Sequence, residues 1–218
     1  MTVMRSMKKN ARALLYIGAG CLLLAGGFTG YRFLFTNGLE KLPHEVCSGA
    51  VDRETAVRAL PPSRSAEEGD RSGSPGQHFF FSCYIYSGDE STLSGESQAS
   101  DSSVATWMDF YKGKRGGDKL VRIRKGPVQA LSLPGGLVSV YVPCTPPRTD
   151  PGEAVQSYSL ITEARTIGET RAKGEELRQA VTDFAYAITK HAYRVGECQE
   201  RISLPANLSD VESQAGSE

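Results

Sequence analysis

From residue 174 to 196 the apolar side chains Leu177, Val181, Phe184, Ile188, Ala192 and Val195 recur at spacings of 4, 3, 4, 4 and 3. That spacing puts them on one face of an amphipathic helix, which stops near Gly196, just before Cys198. A shorter helix over about 52–60 is predicted by Ala56, Val57 and Leu60, with Asp52 as N-cap and Glu54 in the first turn. Pro61-Pro62 ends it. Phe79 to Tyr86 is a continuous aromatic and apolar run, which reads as a central strand buried on both faces.

Alternation marks the other strands. Leu120 to Arg124 reads as a surface strand. VQALSL (128–133) and LVSVYV (137–142) flank Pro134-Gly135-Gly136, the composition of a hairpin turn. Residues 155–167 form the last long strand. Val104 to Tyr111 is ambiguous between strand and helix, and its aromatic content favours strand. Residues 61–77 and 87–101 are rich in Ser, Gly and charge, with Leu93 as the one large apolar side chain, and read as solvated loops. Their seven acids are spaced too irregularly for a calcium loop. Strands in succession with helices at the ends indicate an α+β fold: an antiparallel sheet of five to six strands, a short first helix and a long C-terminal helix packed on one face.

Ahead of this domain, Ala13 to Tyr31 is nineteen residues without a formal charge. As a helix it would span roughly 28 Å, near the thickness of a bilayer core. The expectation is therefore a single transmembrane helix at 13–35. Four basic residues precede the run, so residues 1–12 are placed as a cytoplasmic basic tail and the remainder outside the membrane. Residues 36–46 would be a tether, 47–200 the extracytoplasmic domain and 201–218 a flexible acidic tail. The alternatives are a signal peptide cleaved near Ala25-Gly26-Gly27, giving a secreted protein, a lipoprotein, and a soluble core helix. The lipoprotein lacks a branched residue three before Cys21, and five glycines weaken a helix in water.

Charge changes the picture in one respect. The net formal charge is zero, yet residues 1–35 hold five basic groups and no acid, leaving 20 basic against 25 acidic groups in the rest. A nucleic-acid binder needs its basic excess on the folded part, so that class is set aside. Export agrees with the cysteines. Cys21 lies in the apolar run, and Cys47, Cys83, Cys144 and Cys198 read as two disulfides, for which three connectivities exist. Element order favours Cys47–Cys83, tying the start of the first helix to the first strand, and Cys144–Cys198, tying a strand end to the tail of the last helix. No C-x2-C pair is present, so no metal site is expected.

Candidate chemistry is sparse. His44, His78 and His191 are the whole imidazole supply, and His191 lies beside the apolar helix face as a partly exposed residue. H-E-x-x-H, G-x-S-x-G and the phosphate-binding loop are absent, and the one S-x-x-K match, Ser6 to Lys9, lies in the basic tail. Neither catalytic residues nor a cofactor are expected. The strongest surface signal is basic: Lys112, Lys114, Arg115, Lys119, Arg122, Arg124 and Lys125 surround Gly116-Gly117, read as a hairpin tip. Such a cluster either contacts an anionic lipid or wall polymer or keeps a strand edge from aggregating.

The segments LPHEVCSGAVDRETAVRALPP, FFFSCYIYSG and VSVYVPC, with a closing helix ending GEC, resemble envelope proteins of streptomycetes and related actinobacteria that are single-pass or secreted. The resemblance covers roughly residues 10–200. It implies an extracytoplasmic α+β domain and supplies no catalytic residues. The function expected from sequence is a membrane-anchored, non-enzymatic domain that binds an envelope protein or wall component. The alternatives are an accessory subunit of an envelope enzyme or transporter, and a small-ligand binder with a pocket between sheet and long helix.

Overall fold

The computed structural model describes residues 37–88, 90–113 and 120–208, together with positions 21, 22, 24, 26, 27 and 30. Its elements run β1 (Glu45–Val46), β2 (Val51–Asp52), α1 (Arg53–Ala59), β3 (Ala66–Ser72), β4 (Phe80–Ser87), β5 (Ser91–Asp101), α2 (Val104–Gly113), β6 (Val121–Lys125), β7 (Val128–Leu133), β8 (Leu137–Pro143), β9 (Tyr158–Ile167) and α3 (Gly174–Val195). Seven strands form one antiparallel sheet in the order β3-β4-β5-β9-β8-β7-β6, and β1 and β2 pair separately.

The path explains the layers. The chain enters at the β3 edge, moves inward to β5, crosses to the far edge at β6 and returns through β7 and β8 to close against β5 with β9. The longest ladder is this closure, from Thr92 opposite Ile167 to Asp101 opposite Tyr158. The crossing segment carries α2, so α2 lies over the β6–β9 half of one face and leaves the β3–β5 half of that face open.

The other face is covered by α3. Phe81 and Ile85 of β4, Leu93 of β5, Val138, Val140 and Val142 of β8 and Leu160 of β9 pack with Val181, Phe184 and Ile188, all removed from solvent. Full burial of each large side chain contributes about 1.5–3 kcal/mol. A buried hydroxyl chain runs through this layer: Thr162 donates to Ser97 Oγ (2.9 Å) and accepts from Thr189 (2.8 Å). α1 sits against α3, with Ala56, Ala59 and Leu60 buried and Arg58 2.8 Å from Asp183.

Several expectations are corrected. The transmembrane helix at 13–35 is not found: no helix among the described residues is long and apolar enough to cross a membrane. Cys21, Leu22, Leu24, Gly26, Gly27 and Gly30 are helical and exposed, and the other positions of 13–35 lie outside the described residues, as do 1–12. The sheet has seven strands rather than five or six, because β3 and the whole of β5 fall in the segments read as loops. In β5 the α3-facing positions are Ser91, Leu93, Gly95 and Ser97, buried but mostly too small or polar to give an apolar signal. Val104–Gly113 is a helix, not a strand, and helices therefore cover both faces. β4 lies next to the edge and alternates, with Phe81, Cys83 and Ile85 buried and Phe80, Tyr84 and Tyr86 exposed. Asp52 does occupy the N-cap position of α1, though its side chain makes no capping bond.

Both ends expected to hang free are packed. Leu39, Leu42 and Val46 of the supposed tether are buried, and Gly38 N donates to Ser63 O at 2.7 Å. Residues 201–208 lie along α3, with Leu208 buried and the Tyr186 hydroxyl donating to Pro205 O at 2.5 Å. Residues 209–218 lie outside the described residues.

Candidate functional site: a groove beside α2

The position of α2 is fixed at its start and along its inner face. Ser103 caps it, its Oγ accepting from Thr106 N (3.2 Å), while Ser103 N and Thr106 Oγ1 donate to Gln156 Oε1 at 3.1 and 2.5 Å. Gln156 is held by Asp101, whose carboxylate accepts from the backbone N–H groups of Val155, Gln156 and Ser157 at 2.7–3.0 Å. Those donors, Gln156 foremost, hold the Asp101 pKa below the usual carboxylate range. The Tyr141 hydroxyl donates to Ser102 O at 3.0 Å.

Inward, Trp107 and Tyr111 pack on Leu131, Leu133 and Tyr141 as a second hydrophobic cluster. Trp107 Nε1 donates to the buried Ser139 Oγ at 2.9 Å, and its ring lies 5.4 Å from that of Tyr141 and 6.0 Å edge-on from that of Tyr111. Both large aromatics thus satisfy their polar ends while filling apolar space.

Where α2 stops covering the sheet, a groove of about 730 Å³ opens. Its floor is set by register. One row crosses the strands as Ser82, Glu96, Glu163 and Ser139; the next is Tyr84, Ser94 and Arg165; on the other side lie Gln98 and Ile161, with Phe80 beyond Gln98 in an adjoining depression that it shares with Arg71 and His78. Phe110 of α2 rims the opening at 56% exposure, with Tyr84 at 38% across from it.

Glu96 and Glu163 are direct cross-strand partners, a placement that puts Cβ atoms about 4.5–5.5 Å apart and disfavours like charges. Among the described residues neither carboxylate has an ion-pair partner. Neutral donors hold them instead: Gln98 Nε2 donates to Glu96 Oε1, and the Tyr111 hydroxyl donates to Glu163 Oε1. Burial, followed by the bond to Glu163, raises the Tyr111 pKa far above that of free tyrosine, so its hydroxyl stays a donor at every physiological pH. Arg165 is exposed at the groove edge, and Arg71 of β3 stands opposite Ser82. With the exposed Glu67, which stands opposite Tyr86, this half of the face carries three acids interspersed with two arginines.

The aromatic side of the groove is shaped by glycine. Gly69 of β3 pairs with Tyr84, and a Cβ at Gly69 would collide with the Tyr84 ring. The ring therefore lies across the edge strand instead of standing away from the sheet. Phe80 repeats the arrangement over Gly73, where a Cβ would come within 3.0 Å of the ring. Tyr86 stands beside Tyr84 at 5.2 Å between ring centres.

The sequence-predicted residues fall elsewhere. Cys47–Cys83 and Cys144–Cys198 are disulfides, in the pairing that element order favours. The first joins the β1–β2 turn to β4, where Cys47 N also donates to Glu68 at 2.8 Å, and the second joins β8 to the end of α3. Of the basic cluster, Lys114, Arg115 and Lys119 lie outside the described residues, as do Gly116 and Gly117, read as a hairpin tip; the described elements before and after them are α2 and β6, not two strands. Lys112 pairs with Asp109 (3.0 Å), Arg122 donates to Gln129 (2.6 Å), Lys125 donates to Asn207 O (3.2 Å), and Arg124 is exposed. His191 is buried rather than partly exposed.

The space between the sheet and α3 is filled by the core side chains, so the expected pocket there is replaced by the groove on the opposite face. Nothing in the sequence marked that groove. Its residues come from four strands and a helix spread over about eighty positions, and the alternation of Phe80, Tyr84 and Tyr86 was masked by Phe81 and Ile85 between them. Among the described residues no group of three or more His, Cys, Asp and Glu is placed to hold a metal. No match to this chain was found among protein families, curated proteins or solved structures.

Proposed function

We propose that this chain is an extracytoplasmic binding domain of the cell envelope, and that it takes its ligand in the groove between α2 and strands β4, β5 and β9. The observation that carries this reading is the uncovered half of the sheet, where exposed aromatic rings flank convergent polar side chains over a 730 Å³ depression. A concave site of that size, with a few placed polar groups among aromatic ones, is the usual form of a ligand site. The compartment is supported by the two disulfides, which persist where the surroundings are oxidising.

Cys83 is held in a disulfide and the Tyr111 hydroxyl is committed to Glu163, so both act as fixed parts of the groove wall. The test is sedimentation of the purified full chain, disulfides intact, with cell-envelope fragments. The double variant Phe110→Ala/Glu96→Gln should lose at least tenfold in bound fraction while still unfolding cooperatively, both side chains being exposed in the parent. Equal binding by variant and parent would remove the groove from this role.

A further inference from the structure

We infer that the ligand of this groove is a neutral saccharide, an inference that rests on the groove being the binding site. Three features point to it. The first is the pair of rings laid across glycines: Tyr84 over Gly69 and Phe80 over Gly73. A ring lying along the sheet offers its face, and the apolar C–H face of a sugar ring is a flat partner for it. The two positions are four residues apart on one strand, about 13 Å by the rise of a β-strand, so the platform is longer than one sugar unit.

The second feature is the alternation of donors and acceptors on the floor. Glu96 and Glu163 accept, Arg165 donates, Gln98 does both, and the hydroxyls of Ser82 and Ser94 do either. Cross-strand neighbours on such a surface lie about 5 Å apart and diagonal ones about 7–8 Å. Adjacent sugar hydroxyls, each able to donate and accept, satisfy such a mixed set, and a planar carboxylate or guanidinium binds two of them together. Pre-fixing by Gln98 and Tyr111 keeps the carboxylates in place before a ligand arrives.

The third is charge. Acids and bases are interspersed on this face, Glu67, Glu96 and Glu163 among Arg71 and Arg165, so no run of like charge is presented to a polyanion or a polycation. An uncharged polyhydroxy ligand fits such a mixed polar floor beside aromatic faces. The basic residues near β6 are on the far edge of the sheet from it.

Trp107 lines the groove wall but is only 2% exposed, so occupancy is read by isothermal titration calorimetry. The full chain is titrated with cellotetraose, maltotetraose and chitotetraose, and in parallel with spermine and with phosphatidylglycerol vesicles. The expected result is a saturable heat of binding with at least one tetrasaccharide. Its affinity should fall about tenfold in Tyr84→Ala and in Glu96→Gln, and stay unchanged in Glu54→Gln of α1, on the opposite face of the sheet. Gly69→Ala, which keeps every groove side chain but places a methyl where the Tyr84 ring lies, should weaken it as well and covers the case in which Tyr84→Ala fails to fold. If no saccharide binds while envelope sedimentation still depends on Phe110 and Glu96, the saccharide assignment is overturned and the groove stands. Spermine or vesicles binding in its place, with Tyr84 dependence, has the same consequence. If sedimentation also ignores the groove variants, both readings fall.

Discussion

Gly95 of β5 lies directly beneath Ile188 of α3. A Cβ at Gly95 would sit 2.5 Å from Ile188 Cδ1, 3.1 Å from Phe184 Cε1 and 3.3 Å from the Ala164 Cβ. The glycine thus sets how closely the long helix approaches the centre of the sheet. Gly95→Ala should lower stability by about 1–3 kcal/mol, the usual cost of overfilling a packed core. Urea unfolding would show this as a lower midpoint at unchanged slope, and an unchanged midpoint would mean that the helix is free to lift.

Trp107 and Ser139 supply a second test, on the opposite face. Ser139→Ala leaves the indole N–H buried without an acceptor, which costs about 1–3 kcal/mol. Ser139→Thr keeps a hydroxyl and should recover part of the loss. Because Trp107 is the only indole, its emission should shift in Ser139→Ala under native conditions.

The cysteines are testable by mass. Iodoacetamide on the native chain should modify one thiol, that of the exposed Cys21, and five after reduction in denaturant. The bond Cys144–Cys198 closes a separation of 54 residues, for which the chain-entropy relation gives about 4 kcal/mol. Cys144→Ala/Cys198→Ala should therefore cost a large part of the stability of a domain this size. Five modifications without reduction would contradict the pairing.

His191 makes stability depend on pH. Its ring lies 4.6 Å from that of Phe81 and its Nδ1 3.1 Å from the Arg194 guanidinium. Burial first, then Arg194, push its pKa below the ordinary imidazole value, with Asp70 of β3 opposing them. The unfolded chain takes up this proton near pH 6.5 while the folded one resists it, so the unfolded state binds more protons below that point. Stability from this residue is complete above about pH 6.5 and declines as pH falls from there toward the folded pKa. His191→Gln should flatten the difference between melting temperatures at about pH 7.5 and about pH 5.5, and an unaltered difference would exclude the residue as its source.

Some elements were legible because their signal is local. α3 follows from the spacing of Leu177 through Val195, and the β7–β8 hairpin from two apolar runs around Pro134-Gly135-Gly136. Others were hidden for the same reason in reverse. β3 reads AEEGDRS and β5 reads STLSGESQASD, both with loop composition; their backbone is ordered by pairing with neighbours that no window of sequence contains. Val104–Gly113 became a helix because its Trp107 and Tyr111 meet Leu131, Leu133 and Tyr141 from strands later in the chain.

By itself the sequence determined the long amphipathic helix, the hairpin, the alternating strands of the second half and the separation of four cysteines from the fifth. Periodicity and composition act over a few residues, and those features need no more. Only the tertiary structure decided which side of β4 is wet, that Glu96 meets Glu163, and that Tyr84 lies across Gly69. The crossing from β5 to β6 sends α2 over one half of the sheet and leaves the other bare, and burial of a strand face depends on what reaches over it.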